Sequence, residues 1–137
     1  MGRTPSYDRD AVLHACAELF RTTGYEGTSL DDIVRATGLH RGSIYSAFGS
    51  KRGLFLAVLV RQPAIAPGSE EPLDLLLVAL LELAPRDPEV RALCAAALDD
   101  GDAGQAASAT LLGSRLLARA GLSPRTSATT PTTREDA

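Results

Sequence analysis

The stretch from Ser29 to Phe48, SLDDIVRATGLHRGSIYSAF, constrains the fold of this chain more than any other. Its first half carries apolar residues at i, i+3 and i+4, which predicts one buried face of a short helix. Gly38 follows where that helix must end, because glycine adopts positive φ without a Cβ penalty. The second half places Ile44 and Phe48 four residues apart, on one side of a second helix. Two short helices around a glycine turn form the helix-turn-helix pattern.

Two registers of a capping box can begin the first helix of this pair. Ser29 with Asp32 three residues later fits one register, and Thr28 with Asp31 fits the other. Each places a carboxylate at the positive end of the helix dipole, so the sequence leaves the register open.

The second helix of the pair has a polar side that carries Arg41, Ser43, Tyr45 and Ser46. In a helix-turn-helix the second helix enters the major groove of DNA, and its N-terminal residues reach the base edges. His40 begins this helix and could contact DNA or simply cap the helix. Helix pairs of this kind also occur in proteins that bind no DNA, so the pattern needs support from charge.

The charge distribution supplies that support. Residues 33–69 contain no Asp or Glu, but they include Arg35, Arg41, Lys51, Arg52 and Arg61. Residues 1–62 hold eight Lys or Arg and six Asp or Glu, whereas residues 63–137 hold six and eleven. The chain as a whole carries a net charge of −3, yet the net charge of its front half is positive, as a phosphate-binding surface requires.

Helices are also expected on both sides of the pair. A first helix is predicted to run from the N-cap Ser6 to about Thr23, and a fourth helix to be capped by Ser50 and ended by Pro63. Lys51 lies in the first turn of that fourth helix, where a cation opposes the helix dipole unless an anion is near. A DNA phosphate would supply the anion.

The second half of the chain is predicted to be helical as well. Residues 63–72 contain Pro and Gly and are expected to form a linker. Three helices should follow: one over about 73–84 that is apolar around nearly its whole circumference, one that starts at Asp87-Pro88, and one over about 103–120 that ends at Gly121. Leucines and small residues share one stripe of the last helix. Residues 123–137 are rich in Ser, Thr and Pro and should be a disordered tail.

No motif of a catalytic or metal site is recognisable. Cys16 and Cys94 lack metal-ligand spacing and are expected to be reduced and buried, and the histidines His14 and His40 are isolated. We therefore expect no enzyme, no metal and no cofactor. The N-terminus is polar, and the apolar run from Leu73 is much shorter than the ~20 residues of a bilayer span, which predicts a cytoplasmic protein without a membrane segment.

The run from Val12 to Leu59 resembles the DNA-binding domain of the TetR family of transcriptional regulators. The shared features are AELF in the first helix, Gly24-Tyr25 followed by Thr28-Ser29, the spacing from Ile33 to Gly38, and Gly42-Ser43-Ile44-Tyr45 with Phe48, Lys51 and Leu54. The resemblance implies an all-α fold. A three-helix helix-turn-helix domain would be joined by a fourth helix to a small helical dimerisation or effector domain. The first domain with this fourth helix would cover 1–62, with the motif at about 29–48, and the second would cover 63–122.

The resemblance also implies which residues contact the DNA backbone. Thr28 or Ser29 would bind a phosphate, and so would Lys51. Tyr45 would contact a backbone phosphate from the second helix of the motif.

Contacts in the groove are implied for Arg41, Gly42 and Ser43. Two positions depart from the usual pattern of the family: His40 replaces a Ser cap, and Ser46-Ala47 replace a pair that is often larger and aromatic or His. We expect these departures to alter which operator is bound, with His40 and Ser46 among the contacting residues.

The expected function is that of a repressor that binds double-stranded DNA at a palindromic operator as a homodimer, with or without a small-molecule effector. The family supplies five or six C-terminal helices where three are predicted here, which puts the effector pocket in question more than the dimer. The alternative is a helical protein–protein interaction module that kept the fold and lost operator binding or ligand sensing. The operator, the effector and the regulated genes do not follow from the sequence.

Overall fold

The computed structural model describes residues 7–62, 70–99 and 101–123, and within α7 it describes side chains from residue 106 onward. All regular structure in these ranges is helical, which confirms the predicted all-α class. The predictions for the N-terminal arm, for residues 63–69 of the linker and for residues 124–137 of the tail lie outside the described residues. The helices are α1 (Arg9–Thr23), α2 (Leu30–Thr37), α3 (Arg41–Phe48), α4 (Lys51–Val60), α5 (Glu70–Val78), which continues as a π-helical segment (Ala79–Leu83), α6 (Pro88–Leu98) and α7 (Gly101–Arg119).

Helix α1 begins later than predicted, because its N-cap is Asp8 and not Ser6. The Asp8 carboxylate accepts hydrogen bonds from the backbone N–H of Asp10 at 2.9 Å and of Ala11 at 3.4 Å. A charged acceptor at this end of a helix is also favoured by the helix dipole. Gly24 ends α1 with φ of 78°, and its N–H donates to the carbonyl of Phe20 at 2.9 Å.

The two helices of the motif are joined as the sequence predicts. Ser29 and Asp32 form a reciprocal capping box, in which the Asp32 N–H donates to Ser29 Oγ at 3.1 Å and the Ser29 N–H donates to Asp32 Oδ2 at 2.8 Å. This settles the register of the cap in favour of Ser29. Gly38 ends α2 in the left-handed region, with φ of 72°. The chain therefore turns at Gly38 and enters α3 at Arg41.

An aromatic cluster lies at the centre of the front half. The Phe55 ring makes edge-to-face contacts with Phe20 at 5.1 Å and with Tyr25 at 5.3 Å between ring centroids. Ile33 of α2 and Ile44 of α3 are buried in the same core, and Leu30, Val34 and Phe48 pack against it, so both helices of the motif are anchored through their apolar sides.

This core continues without interruption into the second half of the chain. It includes Leu75, Leu76 and Val78 of α5 and Val90 of α6. Helix α5 begins at Glu70, before the predicted start near residue 73, and is buried on nearly all sides as expected. Cys16 and Cys94 are free and buried, which confirms the prediction for both.

Helix α6 starts as the sequence predicts, with Asp87 as N-cap and Pro88 in the first turn. The Asp87 carboxylate accepts from the N–H groups of Glu89 at 3.1 Å and Val90 at 3.2 Å. Because Arg52 donates to this carboxylate at 2.6 and 3.0 Å, the pKa of Asp87 falls to about 2. The start of α6 is thereby tied to α4.

Helix α7 lies against α5 through charged side chains. Arg115 donates to both carboxylate oxygens of Asp74 at 2.7 Å, and Arg119 Nη1 lies 3.4 Å from Asp74. Burial acts to raise the pKa of Asp74, but Arg115 and Arg119 outweigh it and hold the pKa below its usual value. The predicted end of α7 is confirmed at Gly121, which has φ of 74°.

Along residues 106–119 of α7 no side chain is buried, and Leu116 is 44% exposed. Of the predicted stripe, Leu116 is exposed in the single chain, whereas Leu112 is half-buried and packs against the core. Among the described helices, none is both long enough and apolar enough to cross a membrane.

Candidate nucleic-acid interface

Helix α3 turns its polar side to solvent because Ile44 holds the opposite side in the core. The exposed residues of this face are His40, Arg41, Gly42, Tyr45 and Ser46, whereas Ser43 is half-buried. Tyr45, although aromatic, is 47% exposed. Five of the six predicted α3 positions therefore share one accessible surface, which we call the α3 face.

His40 occupies the N-cap position of α3 through its backbone, since its carbonyl accepts from the Ile44 N–H at 3.1 Å. Its side chain makes no capping hydrogen bond. The sequence allows His40 either to cap the helix or to contact DNA. Its side chain does not cap the helix, and the imidazole is exposed to solvent.

Gly42 has no packing reason to be glycine within the chain. A Cβ built at this position would meet no heavy atom within 4 Å, and its φ lies outside the left-handed region. Glycine at an exposed position of this kind allows the backbone to approach an external surface closely.

Arg41 forms an ion pair with Asp31 of α2. The two residues are ten positions apart, and no local spacing rule in the sequence indicates this contact. Both side chains are more than half exposed, so the pair is weak enough to be exchanged for another partner. The sequence analysis considered Asp31 only as a capping residue, and the structure adds it to the site as the partner of Arg41.

The other cations near the motif have local partners. Arg35 Nη1 lies 3.3 Å from Asp32 in the same helix, and the Arg9 guanidinium lies 4.8 Å from the centroid of the Phe48 ring. Hydrogen bonds from the Ser29 hydroxyl and backbone N–H hold the pKa of Asp32 below its usual value, so this capping carboxylate is charged.

Lys51 faces the loop between α1 and α2. Its ammonium donates to the carbonyls of Tyr25 at 3.0 Å and Thr28 at 3.1 Å, and it lies 4.3 Å from the centroid of the Tyr25 ring. Burial raises the pKa of the Tyr25 phenol, so the ring is uncharged beside this cation. The cation in the first turn of α4 is therefore stabilised within the chain, by carbonyl dipoles and an aromatic face.

Thr28 is fully buried. Its hydroxyl donates to the Gly24 carbonyl at 2.6 Å and shares a 2.9 Å hydrogen bond with Thr23 Oγ1. A phosphate contact from this hydroxyl would require those bonds to break. Ser29 is exposed, although its hydroxyl already donates to Asp32 at 2.6 Å.

These elements define a class of protein domain. A short capped helix, a glycine turn and a second helix with a free polar side, supported by α1 and α4, are the parts of a DNA-binding helix-turn-helix domain. Residues 12–58 match the model of a family described as bacterial regulatory proteins, tetR family. The likeness to this family therefore covers most of the stretch from α1 to α4.

Known relatives match the same part of the chain. The HTH-type transcriptional regulator YezE of Bacillus subtilis is 46% identical over 59 residues, which are 43% of this chain and 30% of YezE. The HTH-type transcriptional repressor ComR of Escherichia coli is 50% identical over 60 residues, 44% of this chain and 29% of ComR. The matches thus span about a third or less of the length of these relatives.

The fold of the whole chain also has a solved counterpart. A mutant of the TetR family transcriptional regulator CifR, complexed with 26-bp double-strand operator DNA, aligns with a TM-score of 0.55 at 24% identity. The alignment covers 89% of this chain and 92% of that chain. At this identity the likeness shows a common helical fold.

Proposed function

We propose that this protein is a transcriptional regulator of the TetR type, a repressor that binds double-stranded DNA. The observation that carries the proposal is the α3 face, where His40, Arg41, Tyr45 and Ser46 are presented together beside an exposed glycine. No acidic residue lies in residues 33–69, so phosphates can approach this side of the molecule without a repulsive neighbour on α3 or α4. The similar protein ComR is a transcriptional repressor, which supports the same sense of regulation.

The proposed roles divide the site in two. Arg41 and Gly42 of the α3 face and the half-buried Ser43 meet the groove at the start of the helix, with His40 and Ser46 beside them. Backbone phosphates are bound at the rim of this surface by Tyr45, by Lys51 and by the segment Thr28–Ser29. Because the Thr28 hydroxyl is buried, Ser29 is the better placed of the two.

We further propose that residues 63–122 hold two such domains together as a homodimer on a palindromic operator. The exposed Leu116 of α7 supports this role, since a second copy would cover it. The two α3 helices would then enter successive major grooves, about 34 Å apart or a multiple of that distance.

A small-molecule effector is part of this proposal. A cavity of about 210 Å³ lies between α1, α4 and α5. It is smaller than the ~300–1,000 Å³ of typical small-molecule sites. Its charged lining residues are already paired, Arg61 with Asp10 and Arg21 with Glu71.

The second candidate function is a protein–protein interaction module that kept the fold without operator binding. The internal hydrogen bonds of Lys51 and Thr28 favour it, because both of these predicted phosphate-binding groups already have partners within the chain. Selection of bound sites from random DNA distinguishes the two functions. Enrichment of a palindrome supports the repressor, and no enrichment at low salt supports the interaction module.

Arg41→Ala is expected to relax base preference at one position of each half-site. Loss of an arginine contact to a base costs about 1–3 kcal/mol, which is about 5- to 150-fold in affinity for the preferred site. Fluorescence anisotropy with the selected palindrome and its single-base variants, at one salt concentration, measures this. Arg35→Ala, an exposed cation on α2, is the matched control and should leave base preference intact. Unchanged preference in Arg41→Ala would refute the assigned contact.

Lys51→Ala is expected to weaken binding to all DNA sequences alike. If its ammonium also binds a phosphate, the slope of log affinity against log salt falls by about one unit per subunit. If Lys51 acts only by holding the loop, affinity falls while the slope stays the same. Titrations at four salt concentrations, with thermal melting of both proteins as a control, separate these results.

A further inference from the structure

We propose that Glu82 is a positioning residue for DNA recognition, which couples the C-terminal half of the chain to the direction of α2 and α3. Its carboxylate fixes the loop between α1 and α2, residues Gly24 to Ser29, which we call the α1–α2 loop. The inference rests on the proposed function, since it concerns how the α3 face is aimed at DNA.

The contact between Glu82 and this loop is direct. Glu82 Oε2 accepts a hydrogen bond from the backbone N–H of Glu26 at 2.7 Å, across 56 positions of sequence. A backbone donor that bonds a carboxylate makes a charge-assisted hydrogen bond, which is stronger than one between neutral groups. Glu82 is the residue of the π-helical segment that reaches the front half through a hydrogen bond.

The loop is shaped to receive this carboxylate. A Cβ at Gly24 would lie 2.5 Å from Glu82 Oε1, which is too close for any side chain to stand there while Glu82 keeps its place. Gly24 also has φ of 78°, a conformation that favours glycine. Both the backbone conformation and the space at Gly24 are therefore matched to the Glu82 side chain.

Glu82 lies in the π-helical segment, whose wider turn is closed by the Ala84 N–H donating to the Ala79 carbonyl at 2.9 Å. Ala79 and Leu83 of this segment lie in the core, whereas Glu82 leaves it on the side of the loop. Single π turns inside α-helices are frequently found at functional sites.

The loop is held from its other side by Lys51, which donates to the Tyr25 and Thr28 carbonyls. An anion from the C-terminal half and a cation from α4 thus bond successive backbone groups of one short loop. Ser29, the last residue of that loop, caps α2, so the position of the loop sets the start of α2. A displacement of the π-helical segment is thereby passed to the helix-turn-helix without any change in the base-contacting residues.

A second link follows directly after the π-helical segment. Arg52 of α4 bonds the Asp87 carboxylate and Glu89, both at the start of α6. Arg86, between these two links, lies 3.8 Å from Glu26. The segment from Glu82 to Glu89 is therefore the bridge by which the C-terminal half sets the tilt of each helix-turn-helix.

The test uses Glu82→Ala, with Glu82→Gln as the conservative variant and Glu89→Ala as the control. Exchange of the Glu26 amide hydrogen, followed by NMR, should be about tenfold faster or more in Glu82→Ala, because its acceptor is lost. Glu82→Gln retains a side-chain oxygen and should stay near the wild type. Glu89→Ala should leave this amide unchanged, since Asp87 still holds Arg52.

Selection from random DNA libraries with variable half-site spacing supplies the second readout. Glu82→Ala should keep the wild-type base preferences, bind the selected palindrome about tenfold more weakly, and lose the preference for one spacing. Gly24→Ala keeps the carboxylate but displaces it and also strains the backbone at φ of 78°, so it should weaken binding at least as much as Glu82→Ala. Thermal melting establishes the temperature at which each variant is folded for these assays.

The outcomes separate the inference from the function on which it rests. Wild-type binding to a palindrome together with unchanged affinity and spacing in Glu82→Ala overturns the inference alone. Unchanged exchange of the Glu26 amide in that variant also overturns it. If the wild-type protein enriches no DNA, the proposed function is refuted, and so is the positioning role that depends on it.

Discussion

Phe55→Ala is expected to lower the free energy of unfolding by about 3–5 kcal/mol, the usual cost of truncating a fully buried phenylalanine. Phe55 has no exposed surface and contacts the rings of Phe20 and Tyr25 edge to face. Removing its ring leaves a cavity between α1, α4 and the α1–α2 loop, which the surrounding helices can fill only in part. Urea unfolding followed by circular dichroism measures the loss.

Val60→Ala is the matched control for this prediction, because Val60 lies on the same helix and is 68% exposed. Its effect should stay within about 0.5 kcal/mol. A loss of stability in Phe55→Ala no larger than that in Val60→Ala would contradict the central place of the aromatic cluster in the core.

Asp74→Ala is expected to lower the free energy of unfolding by about 3 kcal/mol, the lower end of the cost of removing one partner from a buried ion pair. The Asp74 side chain is 12% exposed and bonds Arg115 through both oxygens. Without it, Arg115 and Arg119 lose the carboxylate that holds α7 to α5. Because α7 carries the proposed dimer surface, sedimentation should also show a weaker dimer.

Glu70→Ala provides a control on the same arginine. Glu70 lies 3.2 Å from Arg115 but is 71% exposed, so its loss should cost about 0–1 kcal/mol. The pH dependence gives a further check. Since the folded-state pKa of Asp74 is lowered, its stabilisation is present above the ordinary carboxyl pKa and is lost as the pH falls through the folded value. Equal losses in the two variants would show that burial of Asp74 is unimportant.

The parts of the fold that the sequence predicts correctly are local. The helices of the motif follow from apolar spacing, and their ends follow from residues whose role is decided within one turn. Ser29, Gly38 and Asp87 are such residues, and the structure confirms each. The predicted start of α1 was wrong. Ser6 and Asp8 are both acceptable N-caps by sequence, and the structure has Asp8 as the N-cap.

The candidate site was harder to predict because its contacts join distant residues. Lys51 donates to two loop carbonyls, those of Tyr25 and Thr28, which lie more than twenty positions away in the sequence. Arg41 pairs with Asp31 on the neighbouring helix. Glu82 could not be singled out from the sequence, since its π turn and its bond to Glu26 depend on how the two halves pack. Contacts of this kind require the tertiary structure.

The hydrogen bond from Arg119 to the Arg21 carbonyl spans 98 positions and closes the end of α7 onto the end of α1. Through this hydrogen bond, the last described helix supplies a donor to a carbonyl in the last turn of α1. The chain should therefore melt in a single cooperative transition, because neither half keeps its full set of partners alone. A truncated chain that lacks α7 should therefore melt at a lower temperature than the full chain.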